Sequence, residues 1–142
     1  MAEAVVAAAR EWLGTPYVHQ ASVMGSGADC LGLIRGVWRQ LHGSEPEPTP
    51  AYTADWAECG RTEVLHDAAM RHLLPVGEGE DWQIGQVLLF RMRQGAIAKH
   101  LGILSQVGAD ALFLHAYTYH GVIESPLTRP WKSRVVARFR FP

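Results

Sequence analysis

The stretch Ile97-Ala98-Lys99-His100-Leu101-Gly102-Ile103-Leu104-Ser105-Gln106-Val107-Gly108-Ala109-Asp110-Ala111-Leu112-Phe113-Leu114-His115-Ala116-Tyr117 decides the kind of fold. Two short apolar runs, Ile97 to Ser105 and Ala111 to Tyr117, flank a polar break that contains glycine, which reads as two antiparallel strands joined by a turn. Centring that turn on Val107-Gly108 sets His100 directly opposite His115 on one face, about 5 Å apart at Cβ. Further strands are expected at Gln86 to Arg91, His120 to Glu124 and Val135 to Phe141. Upstream the texture is helical. Helices first and an antiparallel sheet second make an α+β fold, in one domain spanning residues 1–142.

Residues Glu3 to Leu13 read as the first helix, stopped by Gly14-Thr15-Pro16. Tyr17 to Ala28, with Gly25, Ser26 and Gly27 near its end, reads as a loop. Asp29 then opens a second helix that runs to about His42. Its apolar stripe is Cys30, Leu33/Ile34, Val37 and Leu41, and Gly43 follows as the residue that ends it. Gly32 and Gly36 each cost about 1 kcal/mol inside a helix. Four apart, they share a face, and close packing against the sheet is the expected reason. The proline-rich run Ser44 to Pro50 reads as a crossing loop, and Asp55 to Leu74 as partly helical.

Composition narrows the function classes. The chain has 142 residues, 48% hydrophobic, with 13 Lys+Arg against 14 Asp+Glu. That balance removes the basic excess expected of a nucleic-acid binder. No apolar run approaches the ~18 residues of a membrane span. Met1-Ala2-Glu3-Ala4 lacks the basic start of a secretory signal, so synthesis in a cytoplasm without export is the expectation. Two cysteines, Cys30 and Cys59, are too few for a disulfide framework or a four-thiolate zinc site.

Cys30 follows Asp29 at a helix start, where the partial positive charge of the helix favours a thiolate. The plain alternatives are a small buried hydrophobe at Cys30 and a helix cap at Asp29. His100, oriented by His115, offers a base of the kind that nucleophilic catalysis requires. The same Cys30, His100 and His115 could instead hold zinc, but no closely spaced ligand pair anchors such a site. His19, His42, His66, His72 and His120 read as surface or packing residues, His19 standing apart because of its loop. Cys59 reads as structural or incidental.

Four segments carry a family resemblance: Leu13-Gly14-Thr15-Pro16-Tyr17, Gly27-Ala28-Asp29-Cys30-Leu31-Gly32-Leu33, Lys99-His100-Leu101-Gly102-Ile103 and Leu114-His115-Ala116. In this order and spacing they resemble the NlpC/P60 cysteine peptidases. The segments Tyr17 to Ser22, Leu31 to Trp38 and Arg138 to Pro142 look like the branch encoded among tail genes of phages and gene transfer agents.

The resemblance implies a papain-like α+β fold with the nucleophile helix packed on an antiparallel sheet. It implies hydrolysis of amide bonds in peptidoglycan stem peptides, commonly between D-glutamate and a diamino acid, with no metal or other cofactor. Cys30 would be the nucleophile, His100 the base and His115 its orienter, with Tyr17 and Asp29 at the substrate. Tail hub or tip proteins would be the partners, and the periplasm or wall of a target cell the place of action. Docking regions would be Ser44 to Pro50 and Trp131 to Pro142, whose Phe139 and Phe141 look exposed, although both could pack on the chain's own core. Two departures stand out: Leu31 occupies the position usually held by Ser, and Gly85-Gln86 replaces the usual G-D. Alternatives are an amidase or acyltransferase on the same scaffold, and a tail subunit without turnover.

Overall fold

Asp29 begins the helix around which the site is arranged. One of its carboxylate oxygens accepts the Gly32 amide at 2.7 Å, capping α2 (Cys30–His42); a cap of this kind contributes about 1 kcal/mol. The helix ends at Gly43, whose φ of 87° lies in the left-handed region that glycine enters without a Cβ penalty. The computed structural model describes residues 1–47 and 63–142. Cys59, Pro48 to Pro50 and the first part of the Asp55 to Leu74 helix lie outside the described residues.

Short apolar runs, buried on both faces at the centre, build the sheet. The described strands are β1 (Ser22–Val23), β2 (Gly27–Ala28), β3 (Leu74–Val76), β4 (Val87–Phe90), β5 (His100–Gln106), β6 (Leu112–Tyr117), β7 (Gly121–Pro126) and β8 (Val135–Arg140). β1 and β2 form a small hairpin, and the other six form one antiparallel sheet in the order β3-β8-β4-β5-β6-β7. The remaining helices are α1 (Ala2–Arg10), α3 (Val64–His72) and the short α4 (Arg129–Ser133). Helices α1 and α2 cover one face of the sheet, where Val87, Leu89, Leu101, Ile103, Leu114 and Ala116 meet Leu33 and Val37. On the opposite face Leu88, Phe90, Leu104 and Phe113 form a second cluster beneath Trp131 of α4. The α+β expectation is met, with N-terminal helices on an antiparallel sheet.

Three local expectations need correction. The segment Tyr17 to Ala28 is not only loop, because Ser22 pairs with Ala28 and Val23 with Gly27. Gly32 and Gly36 do not face the sheet. A Cβ at Gly36 would overlap the Trp12 ring, and one at Gly32 would overlap the Ala21 carbonyl oxygen. The glycines thus admit α1 and the Tyr17 to Ala28 segment against α2. Finally, Phe139 and Phe141 are not exposed. Phe139 lies on β8 between β3 and β4, Phe141 follows that strand, and both rings are in the core at 1% and 5% exposure.

Gln86, which stands where the resemblance expects an acid, has a structural partner. Its Oε1 accepts a hydrogen bond from the buried Arg138 guanidinium at 3.2 Å, and its Nε2 donates to the Asp81 carbonyl at 3.1 Å. Arg138 also donates to the carbonyls of Gly77, Glu80 and Asp81. This cation therefore holds the acidic Gly77 to Asp81 loop through its backbone. The neutral Gln86 amide satisfies one donor without bringing a second charge into the core.

Candidate active site

Cys30 is the first residue of α2, and the segment before it is stitched to the helix. The second Asp29 oxygen accepts the Gln20 amide at 2.8 Å. Ser22 Oγ donates to the Gly32 carbonyl at 2.6 Å, and Arg39 donates to the Ser22 carbonyl, also at 2.6 Å. These bonds aim the thiol at the start of β5, where Sγ donates to the Lys99 carbonyl at 3.6 Å and lies beside the Leu101 amide. The sulfur therefore rests against the backbone on both sides of His100.

His100 and His115 are brought together, by a different register from the expected one. Ile103 pairs with Leu114 and Leu104 with Phe113, and an irregularity at Ser105 shifts the turn end of the hairpin. The pairing expected from a turn centred on Val107-Gly108 is thus displaced by two residues. Because side chains alternate with a period of two, the histidines keep a common face and become diagonal neighbours. His100 Nε2 and His115 Nδ1 are 2.8 Å apart. His100 is 8% exposed and His115 fully buried. Their surroundings are aromatic: the Phe90, Tyr117 and Trp131 rings lie 5.5, 5.9 and 5.8 Å from the His100 ring.

The electrostatics differ from the helix-start expectation. Burial and then the Asp29 carboxylate push the Cys30 thiol up to about 12, although the amides of Leu101, Leu31 and Cys30 itself pull the other way. Cys30 retains some surface, but the protein packed around the sulfur outweighs the helix terminus. Burial, and secondarily His115, lowers His100 to about 3. Burial, and secondarily His120, lowers His115 to about 4. The resting pair is a neutral thiol and a neutral imidazole.

This has a consequence for stability. Below about pH 6.5 the unfolded histidines take up protons that the folded ones refuse, so their contribution is intact above neutrality and is lost as pH falls. Glu124, despite a burial penalty, is held low by the Ser105 hydroxyl and Arg10, and weakens the fold only below its ordinary range. Urea unfolding at about pH 7 and about pH 5 therefore isolates the histidines. The expected loss is roughly 2–4 kcal/mol, and unchanged stability would mean that they protonate in the folded state.

Tyr17 is half-buried beside Cys30, with its hydroxyl hydrogen-bonded to the Thr118 side chain; burial first, then Cys30, raises its pKa. Its ring stands next to the thiol. Asp29 does not reach a substrate surface: it is 3% exposed, and its oxygens hold the helix start and the Gln20 amide. Its contribution is positional. Leu31 packs against the core, and His19 lies 3.9 Å from Asp29. Among the described residues no three His, Cys, Asp or Glu side chains gather as metal ligands.

Two neighbours escaped the sequence reading. Trp131 packs against both histidines, 5.8 Å from His100 and 5.3 Å from His115. Ser125 Oγ lies 3.0 Å from His115 Nε2. Both follow β6, and nothing in their local pattern marks them as facing this site; Pro130 inside the α4 turn was the available signal for Trp131.

The site thus consists of a part-buried thiol at a helix start, set against β5, whose His100 is hydrogen-bonded to His115 on β6. The sequence model for the NlpC/P60 family matches residues 14–140, and the chain belongs to that family. A probable endopeptidase of Haemophilus influenzae is 28% identical over 130 residues, covering 92% of this chain and 68% of the relative. An NlpC/P60 family protein from Bacillus cereus aligns with a TM-score of 0.66 at 20% identity, over 99% of this chain and 40% of its own. The NlpC/p60 domain of the peptidoglycan hydrolase SagA aligns at 0.58 and 21%, over 99% of both chains. The fold matches along this chain's whole length, while the chain spans 40% of the Bacillus protein.

Proposed function

We propose that this chain is a cysteine peptidase that hydrolyses amide bonds in peptidoglycan stem peptides. The observation that carries this reading is the seating of the Cys30 thiol against the backbone that flanks His100, with His100 hydrogen-bonded to His115 at 2.8 Å. Membership of the NlpC/P60 family and similarity to a probable endopeptidase support it.

Because the thiol rests neutral, its proton moves to His100 Nδ1 as Sγ closes on the substrate carbonyl carbon. The tetrahedral oxyanion is met by backbone amides at the start of α2, beginning with that of Cys30. The His100 imidazolium then protonates the leaving amine, and water hydrolyses the acyl-enzyme. The bond between D-glutamate and a diamino acid is the proposed target. A phage-like tail is the proposed carrier, supported by the tail-type look of Tyr17 to Ser22, Leu31 to Trp38 and Arg138 to Pro142.

Incubation of purified peptidoglycan with the protein, followed by mass spectrometry of released fragments, tests the chemistry. Fragments ending in D-glutamate are expected with wild type and not with Cys30→Ala. Intact peptidoglycan with folded wild type would remove the reading. Mass spectrometry of purified particles tests the carrier: the chain is expected in them, and its absence overturns delivery while leaving the peptidase intact.

A further inference from the structure

A hydrogen-bonded row crosses three adjacent strands on one face of the sheet. It runs from His100 on β5 through His115 on β6 to Ser125 on β7, with separations of 2.8 Å from His100 Nε2 to His115 Nδ1 and 3.0 Å from His115 Nε2 to Ser125 Oγ. Ser125 pairs with Phe113, and His115 with Ile123, so Ser125 is the diagonal neighbour of His115 on the same face. The proposed chemistry uses the histidines and leaves Ser125 without a task.

We propose that Ser125 is a positioning residue: its Oγ accepts the hydrogen on His115 Nε2 and so leaves His115 Nδ1 bare to receive the hydrogen on His100 Nε2. The inference rests on the reading of His100 as the base.

Two neutral histidines in contact share one hydrogen between them, which allows two polarities along the row. In one, His100 donates from Nε2, His115 donates from Nε2, and Ser125 accepts. His100 Nδ1 is then bare and can take the thiol proton. In the other, Ser125 donates to His115 Nε2 and His115 donates from Nδ1, so the His100 hydrogen sits on Nδ1 and the base is blocked. Once His100 becomes an imidazolium it can only donate at Nε2, and a His115 hydrogen on Nδ1 would oppose it directly. Only the first polarity serves the whole cycle.

Burial makes the acceptor consequential. His115 is fully buried, and its close ring neighbours are Phe113, Tyr117 and Trp131, at 4.2, 5.2 and 5.3 Å. An enclosed N–H needs an acceptor, and Ser125 Oγ has lone pairs at the right distance. Loss of the hydroxyl removes the partner of His115 Nε2 and weakens the preference for the productive tautomer.

Nitrogen-15 NMR of histidine-labelled protein at neutral pH reads the tautomers directly. Wild-type His115 is expected to carry its hydrogen on Nε2. Ser125→Ala is expected to shift His115 toward the Nδ1 tautomer and to lower kcat about tenfold with KM unchanged. Ser125→Thr, which keeps the hydroxyl, is expected to restore both. A wild-type His115 with its hydrogen on Nδ1 overturns the proposal, and needs no variant to fold. So does Ser125→Ala with tautomer and kcat unchanged, or an equal kcat loss in Ser125→Thr with the tautomer unchanged, which would be packing. Activity surviving in Cys30→Ala would defeat the peptidase reading instead, and the wild-type tautomer would still report on Ser125.

Discussion

His100→Ala is expected to reduce turnover of peptidoglycan stem peptides by about 10²–10⁴-fold, the range a positioned general base contributes. The thiol is held up near 12, so it has almost no thiolate of its own at neutral pH. It depends on an acceptor arriving as the bond forms. His115→Gln keeps a side chain able to accept from His100 Nε2, and its loss is expected to be about tenfold, mostly in kcat. Steady-state kinetics on a soluble stem peptide, with circular dichroism to establish folding, separates the two. Equal inactivity in folded His100→Ala and His115→Gln would mean that His115 touches the reacting groups.

Gly32→Ala is expected to destabilise the protein by about 2 kcal/mol and to lower activity with it. The sign is the informative part, since alanine in an ordinary helix interior stabilises by about 1 kcal/mol over glycine. Here the new methyl would meet the Ala21 carbonyl, with the Ala21 carbon at 3.0 Å and an Asp29 carboxylate oxygen at 3.1 Å. The obstacle is backbone, and the segment that must move carries Tyr17 and pairs with the residues that deliver Cys30. Urea unfolding of the variant checks it. A gain in stability would show that the Tyr17 to Ala28 segment yields freely and does not set the position of the thiol.

Much of this arrangement was legible in the chain. The helix from Asp29 to Gly43 announced itself by a cap residue, an apolar stripe and a terminal glycine, all local signals that act within a few residues. The strands around His100 and His115 were legible as short apolar runs bounded by turn residues, which is a local property as well. Even the common face of the histidines survived a wrong register, since a shift of two residues preserves parity. The directly opposed pairing was wrong because the turn is centred on Ala109 and not on Val107-Gly108: Gln106 pairs with Leu112, and the extra residue at Ser105 then brings the pairing back by one, which no turn residue signals.

What the sequence by itself determined was therefore the α+β order, the capped helix start at Cys30 and the two histidines on one face of the sheet. These follow from interactions between residues close in the chain. Only the tertiary structure decided that Gly36 receives Trp12, that β8 is an interior strand with Phe139 in the core, and that Gln86 serves Arg138. Only the tertiary structure likewise put Trp131 and Ser125 against His115. It also reversed the expected charge state of the thiol, because desolvation depends on everything packed around the sulfur, whereas the helix terminus that favours a thiolate is one nearby contribution among several.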